Sequence, residues 1–237
     1  MVKVLELFSG TGSVGKCCKQ LGWEVISVDL LLPADHEVDI MNFDYKQYPK
    51  DDFDIVWASP PCTEYSNLQS CWLGRKKKDG IIYTKEIMEK NMNEADKLVL
   101  KAFEIIDYFN PHYWFLENPQ KGKLKSRDIM KDKPYYDCSY CMYSDWGYEK
   151  RTRIWTNKKD WNNKICDKSG ACGNMIDSQH EKVCDGGYDK RRKHKINVSK
   201  EVHTVGEKKG KVNYNNGTNK LDRYRIPEDL IFSLFLD

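Results

Sequence analysis

Short apolar runs alternate with helix-spaced apolar positions through residues 1–157, and that rhythm alone predicts a fold class. Residues 2–7 read as a buried strand ending at a glycine-bearing turn, and residues 12–21 as the helix that follows. Residues 23–28 form a second strand closed by Asp29, and residues 53–58 a later one that stops at Ser59-Pro60-Pro61. Met88, Met92, Ala95, Val99, Ala102, Ile106 and Phe109 then recur at alternating spacings of four and three, the period of an amphipathic helix. Asn110-Pro111 ends that helix, because the residue before a proline avoids helical backbone. Residues 113–116 read as a buried strand running into Glu117-Asn118-Pro119, and residues 135–143 as another strand-like run. Strand, turn and helix in this order predict an α/β domain on a mainly parallel sheet covered by helices.

After Trp155 the periodicity decays into sequence rich in Gly, Asn and Lys. A small loop-rich region is expected over residues 158–219. Apolar spacing returns at Leu230, Ile231, Leu234 and Phe235, which predicts a terminal helix in residues 220–237 that docks on residues 1–157 and completes that domain. A chain of 237 residues suits one α/β domain with a small appendage rather than two full domains.

Composition adds little until it is mapped. The formal net charge is only +3, yet residues 158–225 carry 17 Lys and Arg against 9 Asp and Glu. Positive charge gathered in one late segment is what contact with a polyanion requires. No leader-like segment and no run of about 18 apolar residues is visible, so an intracellular protein, neither secreted nor membrane-spanning, is expected. On that expectation the 9 cysteines are reduced thiols or metal ligands rather than disulfides.

The chemistry-bearing residues gather at predicted strand ends. Phe8, Ser9, Gly10, Thr11 and Gly12 follow the first strand, and glycines there let backbone approach a ligand at the carboxyl edge of the sheet. Asp29 ends the second strand about 20 residues on, where a carboxylate can accept both hydroxyls of a ribose. Asp39, followed by Ile40, is placed to take an adenine amino group. These features suggest an adenosine-containing cofactor, although a glycine turn and capping aspartates read equally as structure. Pro60 and Pro61 fix the backbone before Cys62 and present its thiol rigidly from a strand end; a buried packing cysteine is the plain alternative. Glu117 stands at another strand end, and Arg151 and Arg153 follow the 135–143 run, so a thiol, a carboxylate and two guanidinium groups could converge on one cleft.

Taken together, residues 6–12, 59–62, 117–119 and 149–153 resemble, in order and spacing, four signature blocks of the cytosine-C5-specific DNA methyltransferase family. Proline-proline-cysteine followed some 55 residues later by glutamate-asparagine-proline is the most specific part of the likeness. The resemblance implies a Rossmann-like S-adenosylmethionine-dependent methyltransferase fold with helices on both faces of the sheet. It implies that Cys62 attacks C6 of cytosine, Glu117 holds the base, and Arg151 and Arg153 lie near it. It also implies S-adenosylmethionine as cofactor, held by Phe8 to Gly12, Asp29, Leu30, Asp39, Ile40 and Pro60. Duplex DNA is the expected partner and a monomer the expected state, with the compact size resembling phage and large-DNA-virus members. Glu149 stands where the family usually has Gln, and residues 226–230 resemble its final block only loosely.

Residues 63–85 resemble the family's loop that closes over a flipped-out base; Ser66, Arg75, Lys76 and Lys77 there, with Asn118, are expected substrate contacts. Arg191 and Arg192 in the later basic run are expected on phosphates. Cys166, Cys172, His180 and Cys184 offer four soft ligands with which zinc could order a region poor in core. Cys138 and Cys141 have the spacing of a ligand pair, but alternation along a strand explains them equally. An exocyclic amino methyltransferase needs an aromatic residue where Cys62 stands. A tRNA cytosine methyltransferase and an inactive DNA-binding relative are the remaining alternatives.

Overall fold

The computed structural model describes residues 1–76, 80–182, 188–196 and 221–236. β1 (Lys3–Leu7) is almost wholly buried, and α1 (Ser13–Gln20) follows it after a turn in which Phe8, Gly10 and Gly12 all have positive φ. β2 (Glu24–Asp29), the short β3 (His36–Glu37) and β4 (Ile55–Ala58) come next. α2 (Lys85–Phe109) starts where the Thr84 hydroxyl accepts from the Ile87 amide at 3.3 Å and stops at Asn110, whose left-handed φ of 46° cannot continue a helix. β5 (Tyr113–Pro119), β6 (Tyr135–Ser139) and β7 (Arg151–Thr156) complete a seven-stranded sheet in the order β3-β2-β1-β4-β5-β7-β6. The β1–β2, β1–β4, β2–β3 and β4–β5 pairs are parallel, and β5–β7 is antiparallel. β8 (Met175–Lys182) and β9 (Tyr188–His194) make a separate antiparallel hairpin, and α3 (Glu228–Leu236) buries Leu230, Ile231, Leu234 and Phe235.

Strand alternation gives the sheet two buried faces. Leu5, Leu7, Val56, Ala58 and Leu116 share one face, and they cluster with Val99, Ala102, Ile106 and Phe109 of α2. Glu6, Trp57, Phe115 and Glu117 lie on the other, where the Glu6 carboxylate accepts from the backbone amides of Val14 at 3.2 Å and Gly15 at 2.9 Å in the first turns of α1. Helices therefore cover both faces, as expected. The chain packs as two units. The first comprises Met1–Tyr136 and Thr152–Trp161; the second gathers Asp137–Arg151 with the described residues from Asn162 onward, α3 among them.

The two-residue β3, β7 and the β8–β9 hairpin escaped the sequence pattern. β7 offers only Ile154-Trp155 as an apolar pair, too short to stand out, and the β8–β9 hairpin lies in the segment expected to be loop-rich. The 135–143 run is strand only as far as Ser139, after which Tyr140–Met142 forms a 3-10 turn.

Candidate active site

The loop after β1 is shaped by backbone that most side chains avoid. Gly10 at φ 55° and Gly12 at φ 67° bracket a turn closed by the Gly12 amide donating to the Ser9 carbonyl at 2.8 Å. Gly15 is required for a different reason. A Cβ there would lie 2.8 Å from the Glu6 carboxylate. That carboxylate is buried, and burial, only partly offset by the two amides, pushes its pKa up to about 7. Ser9 is also buried, and its Oγ has no partner among the described residues. Asp29 closes the neighbouring loop: its Oδ2 accepts from the Gly10 amide at 2.8 Å and its Oδ1 from Leu31 and Leu32 at 2.8 and 2.9 Å. Asp39 caps a 3-10 turn over Ile40–Asn42 by accepting from the Met41 amide at 2.9 Å; Ile40 is buried and Leu30 exposed.

At the adjacent edge, Ala58 of β4 is paired with Leu116 of β5, so Ser59 to Cys62, which leave β4, start at the level of Glu117 to Pro119, the last residues of β5. Asn118, fully buried, donates from Nδ2 to the Pro60 carbonyl at 2.9 Å, while its Oδ1 has no partner among the described residues. The loops beyond are stitched as well. Lys123 donates its amide to the Tyr65 carbonyl at 2.8 Å and its Nζ to Ser70 Oγ at 3.0 Å, and Asn67 Nδ2 donates to the Lys121 carbonyl at 2.6 Å. Cys62 is half-buried between these ties and Glu117 is buried.

A network that sequence reasoning missed braces the loop after Cys62. The Tyr65 hydroxyl donates to Asp96 Oδ1 at 2.8 Å, Arg127 pairs with Asp96 Oδ2 at 2.7 Å and with Glu89 at 2.6 Å, and Asp96 is buried on α2. Burial and the Asp96 bond push the Tyr65 hydroxyl far above its usual range. The signal was present in the sequence. Asp96 lies four residues after Met92 and three before Val99, so it occupies the apolar stripe of α2, where a carboxylate needs partners.

Of the two arginines, Arg153 pairs across β5–β7 with Asn118, whereas Glu117 pairs with Ile154, so Arg153 and Glu117 lie on opposite faces by alternation. The Arg153 guanidinium stacks 3.5 Å over the Tyr135 ring. Arg151, in the second unit, binds Glu149 at 2.8 Å and donates to the Cys166 carbonyl at 3.1 Å.

Residues 2–128 match the model of a protein family described as C-5 cytosine-specific DNA methylase. A protein of Frog virus 3 (isolate Goorha) named "Probable DNA (cytosine-5)-methyltransferase" is 40% identical over 176 residues, 73% of this chain and 79% of that protein. The chain belongs to the C-5 cytosine-specific DNA methylase family. Among solved structures, the methyltransferase EhMeth of Entamoeba histolytica is 18% identical over 70% of this chain and 56% of its own, with a TM-score of 0.49. The Dnmt2 methyltransferase of S. pombe is 14% identical over 68% of this chain and 51% of its own, with a TM-score of 0.38. This family member thus spans about half the length of those two proteins.

The remaining expected contacts of this DNA methylase are distributed more widely. Ser66 caps the 3-10 helix Asn67–Trp72 by accepting from Leu68 at 3.2 Å. Arg75 and Lys76 are exposed beside a turn closed by Tyr83 donating to the Arg75 carbonyl at 2.9 Å, and Lys77 lies outside the described residues. Arg191 and Arg192 are on β9, their backbone registered with Ser178 and Asp177.

The expected metal ligands are regrouped by the fold. Cys166 and Cys172 meet, but Cys141 and His194 join them, and the four donor atoms lie within 4.8 Å of one another. Cys184 and the His180 side chain lie outside the described residues. Burial raises the pKa of the Cys141 thiol and lowers that of His194. The sequence set was drawn from neighbours within one segment, whereas the fold recruits a cysteine from the turn after β6 and the last residue of β9.

Proposed function

We propose that this chain methylates C5 of a cytosine flipped out of duplex DNA through a transient bond between Cys62 and C6 of the base. The observation that carries the reading is the buried Asn118–Pro60 hydrogen bond, which ties the segment bearing Cys62 to the strand end bearing Glu117. C5 of cytosine is a poor nucleophile until a thiolate adds at C6. Cys62 supplies that thiolate, and Glu117 hydrogen-bonds N3 and the exocyclic amine to absorb the charge that addition pushes into the ring. C5 then takes the methyl group, a base removes the C5 proton, and the C6–S bond breaks to return the thiolate.

S-adenosylmethionine, when bound, supplies the electrophilic methyl group. The residues after β1 fit such a ligand: the left-handed turn leaves open space at Gly12, and Ser9 Oγ is buried without a protein partner among the described residues. Phe8 to Gly12, Asp29, Leu30, Asp39, Ile40 and Pro60 would hold it. Arg153, opposite Asn118, is the nearer of the two arginines in register to that strand end, with Arg151 next along β7. Ser66, Arg75, Lys76, Lys77, Arg191 and Arg192 would meet the DNA backbone and the displaced base.

The test uses duplex DNA containing 5-fluorocytosine, in which no C5 proton can leave and the adduct is trapped. With S-adenosylmethionine present, a covalent protein–DNA complex is expected, and Cys62→Ala abolishes it. No adduct across duplexes of varied sequence would refute the reading; an adduct with fluorinated tRNA alone would move the chemistry to RNA.

A further inference from the structure

We propose that Cys141, Cys166, Cys172 and His194 form a closed structural zinc site that organises the second unit. Three sulfurs and an imidazole nitrogen from three segments, the turn after β6, the loop carrying Cys166 and Cys172, and the end of β9, lie within 4.8 Å of one another. His194 Nε2 is 3.7 Å from both Cys166 Sγ and Cys172 Sγ. A tetrahedral ion with Zn–S of about 2.3 Å and Zn–N of about 2.0 Å holds sulfur and nitrogen about 3.5 Å apart, so the cluster needs only a small contraction. Four protein ligands leave no open position, which is the arrangement of a structural rather than a catalytic ion.

The surroundings are those of a ligand cage. The Lys168 amide donates to Cys166 Sγ at 3.4 Å, across a turn that Lys168 enters at φ 65°, and the Cys166 amide is held by Ser139 Oγ at 3.1 Å. Such backbone N–H groups aimed at a ligand sulfur stabilise it as a thiolate. Buried Asn174 sets the other side: its Nδ2 lies 2.9 Å from the carbonyls of both Cys141 and Cys172, and its Oδ1 accepts from Gly147 at 2.9 Å. A disulfide would use two of the three sulfurs and leave the imidazole and the third without purpose. An ion uses all four, displacing up to three thiol protons to solvent, and its binding energy adds to the burial that orders this unit. The site also reaches Arg151, whose guanidinium donates to the Cys166 carbonyl at 3.1 Å.

The full chain, purified reduced from zinc-containing medium, is expected to retain one zinc per molecule by elemental analysis. Replacing zinc with Co²⁺ should give sulfur-to-cobalt charge transfer and the visible bands of tetrahedral cobalt. Cys172→Ser and His194→Ala should lose the bound equivalent, while Cys138→Ser and His180→Ala retain it. A wild-type chain that holds no zinc and shows no charge transfer on Co²⁺ titration would overturn the site, and this measurement decides even where a ligand variant fails to fold. Loss of metal in His180→Ala with retention in His194→Ala would overturn this ligand set. Neither readout depends on methyl transfer.

Discussion

Asn118 donates its side-chain amide to the Pro60 carbonyl at 2.9 Å, and both residues are buried. This one bond joins the end of β5, where Glu117 precedes Asn118, to the segment after β4 that carries Cys62, and so links the carboxylate and the thiol of the proposed chemistry. Asn118→Ala leaves the Pro60 carbonyl buried and unpaired, at a cost of about 1–3 kcal/mol. Urea unfolding should register that loss. Asn118→Asp, which cannot donate when ionised, should show the same loss, and both should transfer methyl groups more slowly than wild type.

Glu117→Gln keeps the size and can still donate to N3 and accept from the exocyclic amine, but it has no carboxyl proton to pass to N3 as the thiolate adds. Methyl transfer from labelled S-adenosylmethionine is expected to slow by about 10²–10⁴, the range for a lost acid-base group. Undiminished turnover would remove Glu117 from the mechanism.

Glu6 titrates from an unusual position. Its carboxyl is raised from 4.5 to about 7 by burial, so between those values the folded chain keeps a proton that the unfolded chain has released. Stability from this group is therefore full below about pH 4.5, falls as pH rises to about 7 and changes no further, a loss of up to about 3 kcal/mol. Unfolding across that window should show the decline in wild type and a flatter profile in Glu6→Gln.

Asp96 bridges Tyr65 and Arg127 beneath the loop that follows Cys62. Arg127→Met strands a largely buried carboxylate and should cost about 3 kcal/mol, and Tyr65→Phe about 1 kcal/mol. Because both act through one carboxylate, a double-mutant cycle should show coupling of at least about 0.5 kcal/mol. Strict additivity would mean that the network does not brace the loop as a unit.

Much of the first unit was legible because its signals are local. Buried strands show as apolar runs, α2 as a spacing of three and four, and its end as Asn110 before Pro111. The residues around Cys62 and Glu117 stood out through their likeness to the family's blocks, whereas prolines before a cysteine read by themselves equally well as a packing turn. The proposed metal ligands were only half readable. Cys166 and Cys172 are close in sequence, whereas Cys141 and His194 come from 25 residues before the former and 22 after the latter.

By itself the sequence determined most of the strands and helices of the first unit and which side chains stand at their ends, because backbone preference and apolar period act over a few residues. Tertiary structure alone decided that β4 lies beside β5, that Asn118 reaches Pro60, that Arg153 and Glu117 take opposite faces, and which cysteines meet His194. Those relations depend on strand order and register, and a register shift of one residue moves every side chain to the other face while leaving the local pattern unchanged.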